Sequence, residues 1–239
     1  MAAKVGTSTT GGATGNANSI ATAAKSTTTG NLISVELKWE WAGTGSAPVL
    51  TSVTDTAGNS YTIEQNLAPT ASTPGGAIAW AKNITGDASN VVTANFNNAT
   101  ASYRRIIQTE WSGLDTTSPV DGTSQQNTGS GNTFSTAAIT TTTSGVMVYA
   151  VAGYQSLTFT AAGTPTSTLD ATTGESCSGY YISSTGQSIT PGATATGTAD
   201  AWVMQAVAFK DAGGGGASRP VKMAGEWGGF AGPSGGFAG

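Results

Sequence analysis

NLISVELKWEW, residues 31–41, is the stretch that decides the fold. Ile33, Val35, Leu37, Trp39 and Trp41 fall on one face of an extended chain, and Ser34, Glu36, Lys38 and Glu40 fall on the other. A helix would scatter these side chains around its circumference. Strict alternation belongs to a strand with one face in a core and one in water. The expectation is a core strand whose four polar side chains are solvated.

The same pattern extends in both directions. Residues 19–24 suggest a short first strand, followed by the turn STTTG at 26–30. Downstream, 49–54 and 60–64 flank DTAGN at 55–59, a turn cluster, so the pair is expected to form a hairpin. Further strands are expected at 77–83, 90–96 and 103–111. In the last of these Arg105, Ile107, Thr109 and Trp111 share a face. Residues 120–132 are polar and Gly/Ser/Gln-rich, the composition of a connector. Strands resume at 133–139, 145–154, 157–160, 178–183 and 201–210. Residues 146–152 and 203–209 are apolar on both faces, as in strands covered from two sides. No segment sustains a helical period, and Thr and Val enrichment favours strands in the same places.

The two halves also resemble each other. NSIATAAKSTTTG (18–30) can be laid on NTFSTAAITTTTSG (132–145) with one inserted residue, and a core strand follows each, at Leu32 and at Val146. RIIQT (105–109) has a counterpart in WVMQA (202–206). The expected fold is all-β, a jelly-roll-like antiparallel β-sandwich with pseudo-repeated halves over residues 18–211. Residues 1–17 are Gly/Thr/Ala-rich and aperiodic, and are expected to be an extended N-terminal arm. Residues 212–239 form a Gly-rich tail. Gly213, Gly214, Gly215 and Gly216 make a hinge, and beyond it Val221, Met223, Trp227, Phe230 and Phe237 are spaced among Gly and Pro. Glycine lets a backbone lie close to another surface, and an isolated aromatic fills a pocket there. These five residues are therefore the expected protein-docking set.

Composition narrows the function classes. Charged residues make up 9% of the 239, and the net charge is −4 with three Arg and six Lys scattered. No basic stripe for nucleic acid exists. The apolar runs are strand-sized, far short of the ~20 residues of a membrane span. MAAKVGTSTTGG lacks the apolar stretch of about 7–15 residues of a signal peptide. Histidine is absent and Cys177 is the sole cysteine, which removes the commonest general base, the commonest transition-metal ligand and any Cys-based zinc site. Neither a catalytic group, a metal site nor a cofactor is expected. Glu36 and Glu40 lie about 13 Å apart along an extended strand at ~3.3 Å per residue, outside the usual glycosidase spacings. Asp55 in DTAGN suits an Asx turn better than a calcium loop. Trp39, Trp80, Trp111 and Trp202 are in phase with Ile and Val and fit core packing. Trp41, beside the Gly43 break, is the tryptophan placed to reach a surface.

GNLISVELKW, SVTDTAGNSYT, AIAWAKNITGDASNVVTANF, ASYRRIIQTEWSGLDTTSPVD and AWVMQAVAFK together resemble a β-sandwich module that recurs in bacteriophage virion proteins and some bacterial surface proteins. The resemblance covers residues 18–211. Its distinctive parts are D-x-x-G-N-x-Y-T at 55–62 and E-W-S-G-L-D at 110–115. It implies a jelly-roll-like sandwich with a structural or adhesive role, and it brings no catalytic residues with it. The expectation that follows is a non-enzymatic virion structural protein, foremost a capsid decoration (cement) protein. Its terminal segments would dock on a major capsid or tail protein and on other copies of itself. The alternative is a tail-fibre or surface adhesion module that binds host carbohydrate.

Overall fold

The computed structural model describes residues 1–197 and 201–213, and its regular elements are strands. The first half of the chain supplies β1 (Ala3–Lys4), β2 (Thr9–Ala13), β3 (Ser19–Ala21), β4 (Leu32–Trp41), β5 (Leu50–Asp55), β6 (Thr62–Leu67), β7 (Gly75–Ala81), β8 (Val92–Phe96) and β9 (Ala101–Ser112). The second half supplies β10 (Gln125–Ser130), β11 (Thr133–Ser135), β12 (Ile139–Thr140), β13 (Gly145–Gly153), β14 (Thr158–Thr164), β15 (Thr168–Thr172), β16 (Ser176–Ser183), β17 (Ser188–Thr196) and β18 (Ala201–Lys210).

Each half makes one large and one small antiparallel sheet. The large sheets run β9-β4-β7-β6 and β18-β13-β16-β15, and the small ones run β3-β8-β5 and β11-β17-β12 with β14 also on β17. The strand order is the same in the two halves. In each, the first long strand lies between the last strand and the third strand of the large sheet.

Three hydrophobic cores separate four sheet layers. In the first half Ile33, Val35, Leu37 and Trp39 of β4 meet Leu50, Val53, Val92, Ala94 and Phe96 of the small sheet. In the second half Met147, Tyr149, Val151, Met204 and Ala206 meet Phe134, Ile139, Phe159, Ile189 and Ala193. The third core joins the two large sheets, with Leu32, Ile78, Trp80 and Trp111 against Val146, Val148, Val207 and Phe209. Alternation along β13 sends odd-numbered residues into the second core and even-numbered ones into the third. That is why its sequence is apolar on both faces. Each fully buried large side chain contributes about 1.5–3 kcal/mol.

The all-β antiparallel sandwich expected from the alternation is the fold the chain adopts, with several local corrections. Ser34, Glu36, Lys38 and Glu40 are not solvated but are all buried, Glu36 at 3% and Lys38 at 1% exposure. The second half's large sheet covers this face, and alternation alone cannot tell a polar contact layer from water. The expected hairpin between 49–54 and 60–64 does not form. β5 pairs with β8 and β6 pairs with β7, so DTAGN is a corner between two sheets. Nor are residues 1–17 an unpacked arm, because β1 and β2 both pair with β9. The small residues there permit a close approach: a Cβ on Gly11 would lie 1.9 Å from the carbonyl oxygen of Ala21. The polar connector at 120–132 likewise contains β10, which pairs with β18 over six residues. Gly129 lies flat on the Trp202 ring, where a Cβ would come within 2.4 Å.

Candidate ligand cleft between the two halves

The third core changes character along its length. Near Leu32 it is apolar, and toward Trp41 it becomes charged. Register sets this gradient. Leu32 is opposite Trp111, Ser34 opposite Thr109, Glu36 opposite Ile107 and Lys38 opposite Arg105. Gln205 of β18 crosses the gap to donate from Nε2 to the Gly76 carbonyl at 3.1 Å. Asp170 of β15 accepts from Ser8 Oγ at 2.5 Å and from Thr109 Oγ1 at 3.1 Å, and it pairs with Lys4. The N-terminal strands thus fasten the first half to the second.

At the charged end Lys38 Nζ donates to Glu40 and, at 3.0 Å, to Glu175 Oε2. Arg105 Nη2 reaches the same Glu175 oxygen at 2.9 Å. Glu175 lies in the turn between β15 and β16, so this network spans both halves. Two cations and two carboxylates cancel, which is the condition for burying Lys38 and Glu40 and half-burying Arg105 and Glu175. Burial holds the Glu40 carboxyl above the ordinary range, although Lys38 pulls it down. Glu36 is different. Neither of its oxygens has a partner at full hydrogen-bond geometry, and burial pushes its pKa up to about 8 against the opposing pull of the nearby Ser34 hydroxyl. Its environment explains this: its cross-strand neighbours are Ile78 and Ile107. The site therefore favours the neutral, protonated form of Glu36.

The network opens onto a cleft of about 700 Å³. Glu40, Ala71, Ser72 and Tyr103 line it from the first half, and Tyr154, Gln155, Ser156 and Glu175 from the second. Tyr103 sits where β9 slips register against β4, between the partners of Lys38 and Glu40. Such a bulge re-aims a side chain. Its φ is +42°, in the left-handed region that a bulky side chain rarely occupies. The residue is 44% exposed, with the Lys38 ammonium 5.6 Å from its ring centroid. Tyr154 donates its hydroxyl to the Thr70 carbonyl at 3.1 Å, fixing the second wall to the loop that carries Ala71 and Ser72.

No family model matches the chain, and no curated protein and no solved structure is found to be significantly similar to it.

The expected docking residues Val221, Met223, Trp227, Phe230 and Phe237 lie outside the described residues. Of the tryptophans, Trp39, Trp80, Trp111 and Trp202 are all less than 9% exposed. Trp41 is half-buried and donates from Nε1 to the Thr44 carbonyl at 2.9 Å. Asp55 accepts from the Asn59 amide and side chain, at 2.9 and 2.8 Å, from Tyr61 Oη at 3.0 Å and from Asn90 at 3.1 Å. Its oxygens are engaged in tying the sheet corner. Asp121 is likewise engaged by the backbone and hydroxyls of Thr142 and Thr143. Cys177 lies within β16, between β13 and β15, at 1% exposure, and burial pushes its thiol pKa up. Among the described residues no group of three His, Cys, Asp or Glu could hold a metal ion.

Sequence reasoning missed Tyr103, Tyr154 and Glu175. Tyr103 is in phase with Arg105 and Ile107 and so belongs by pattern to the covered face, and a bulge leaves no mark in a period-two pattern. GYQS at 153–156 and TGES at 173–176 do carry turn chemistry. Those two polar turns are the signal that was available.

Proposed function

We propose that this chain is a non-enzymatic structural protein of a bacteriophage virion, and more narrowly a capsid decoration (cement) protein. Its double sandwich faces outward and its C-terminal segment docks on a major capsid or tail protein beside other copies of itself. The observation that carries this reading is what the resembling motifs do. Asp55, Asn59 and Tyr61 of the first motif tie a sheet corner. Glu110 of the second accepts from the Thr28 amide at 2.9 Å and the Asn31 side chain at 2.6 Å. Trp111 and Leu114 of that motif fill the core between the halves, and Gly113 adopts φ +75° against the Met1 carbonyl. Residues this distinctive and this committed to architecture mark a scaffold module. Docking through residues 1–17 drops out of the proposal, because that segment is paired to β9. Docking falls instead to Val221, Met223, Trp227, Phe230 and Phe237.

The test is a chain lacking residues 214–239, produced with the other particle proteins. The shortened protein is expected to melt at the same temperature as the full chain and to be missing from purified particles. Incorporation at full copy number would refute docking by the tail.

A second reading, a surface adhesion module for host carbohydrate, is favoured by one observation: the cleft between the halves presents two tyrosines and two carboxylates.

A further inference from the structure

We infer that the cleft between the halves is a binding site for a neutral saccharide, with Tyr103 as its stacking platform and Glu40 and Glu175 as hydroxyl acceptors. The inference rests on the adhesive reading, not on the docking of the C-terminal segment.

Tyr103 supplies the first argument. Its neighbours in phase, Ile107 and Trp111, are buried at 2% and 1% exposure. Tyr103 instead leaves the sheet at a bulge, with a strained φ of +42°, and remains 44% exposed. Strain of this kind persists where surrounding structure enforces it, and it gathers at ligand sites. Here the Lys38 ammonium lies over the ring. It holds the tyrosine from within the protein and leaves the remaining surface to the cleft. An aromatic face presented in this way suits the C–H face of a sugar ring, which is apolar over a small flat area.

The carboxylates supply the second. Glu40 uses Oε1 toward Lys38, and Glu175 uses Oε2 toward Lys38 and Arg105. The other oxygen of each, Glu40 Oε2 and Glu175 Oε1, accepts no hydrogen bond from the described residues. Both belong to side chains that line the cleft. A rigidly held carboxylate with a spare acceptor takes a sugar hydroxyl, which donates one proton. Gln155, Ser72 and Ser156, all exposed at the rim, add both donors and acceptors.

Charge selects among polar ligands. Lys38 and Arg105 neutralise Glu40 and Glu175 within one network. The site has neither the excess cation that an anionic sugar needs nor the excess anion that an ammonium ligand needs. A cleft of about 700 Å³ with a few convergent polar groups is in the range that holds a small ligand. A short neutral oligosaccharide meets all of these conditions.

The test is binding of the full chain to an immobilised panel of glucose-, galactose-, mannose- and N-acetylglucosamine-terminated oligosaccharides and their sialylated counterparts. The expected result is binding to members of the neutral set alone. Tyr103→Asn places a residue that tolerates positive φ at the bulge. It is expected to weaken that binding by about tenfold or more with no fall in melting temperature. Gln155→Ala, outside the ion network, is expected to weaken it as well. Binding that both variants leave intact would overturn the site while leaving the adhesive reading in place, with Trp41 the next position to change. A preference for sialylated glycans would overturn the assignment of a neutral ligand. No binding to any member of the panel would overturn both.

Discussion

Glu36 is the residue whose chemistry departs furthest from its sequence appearance. In an alternating strand it is a solvated carboxylate. In the folded protein it is sealed between two sheets, where burial outweighs the Ser34 hydroxyl and its pKa rises from 4.5 to about 8. The folded state therefore holds a proton that the unfolded chain has released over the interval between those two values. Where the folded state binds more protons, stability falls as pH rises. The contribution is fully present below about pH 4.5, declines across the interval and is lost above about pH 8, at a slope of about 1.4 kcal/mol per pH unit. Glu36→Gln keeps the shape and removes the titration. Urea-unfolding midpoints at pH 5.5 and 8 are expected to fall with pH in the native chain more than in the variant. The variant is expected to be the more stable of the two at pH 8. Equal slopes in the two proteins would show that Glu36 is ionised in the fold.

At the scale of elements, the long strands were legible and their partners were not. β4, β7, β9, β13 and β18 all lie where apolar periodicity places them, because each carries enough Val, Ile, Trp or Phe to declare a buried face. β1, β2, β10, β15 and β17 are short or built mostly from small and polar residues, and the same composition serves loops equally well. Three of these, β1, β2 and β10, pair along one side with an edge of a large sheet, where main-chain hydrogen bonds matter more than side chains. The two turns that carry Gln155 and Glu175 have turn composition in the sequence. Their convergence on Tyr103 does not show there, since it depends on how two sheets stack. Gly11 tests whether the N-terminal strand is integral to the structure. It lies opposite Ile106 in β9, and a side chain would press on the Ala21 carbonyl. Backbone on one side and sheet on the other leave no room to yield. Gly11→Ala is expected to cost about 1–3 kcal/mol of stability, as for overpacking in a core. Chemical denaturation measures it, and an unchanged midpoint would show that β2 is held loosely enough to move aside.

At the scale of the whole molecule, the question is whether two sandwiches behave as one. Each half has its own core, so each meets the first condition for folding alone. The third core argues against independence. Separating the halves would expose Trp80, Trp111, Val207 and Phe209 together, each less than 9% exposed in the assembled fold. It would also break the network of Lys38, Glu40, Arg105 and Glu175, in which the charges that leave water cancel one another. The apolar end makes contact favourable, and the charged end makes any other alignment of the sheets costly. Unfolding is accordingly expected as a single transition, with calorimetric and van't Hoff enthalpies in agreement. Val207→Asp, at a position 0% exposed in this core, buries an unpaired carboxylate among Leu32, Ile78 and Phe209. It is expected to lower stability by several kcal/mol and to split the calorimetric peak into two. A variant that still melts in one sharp peak would mean that the halves are coupled through the segment after β9, whose Leu114 and Val120 bridge to Asp211 and Phe209, rather than through the packed face. The cleft proposed to bind saccharide has walls from both halves, so the same variant is expected to lose it while each sandwich remains folded.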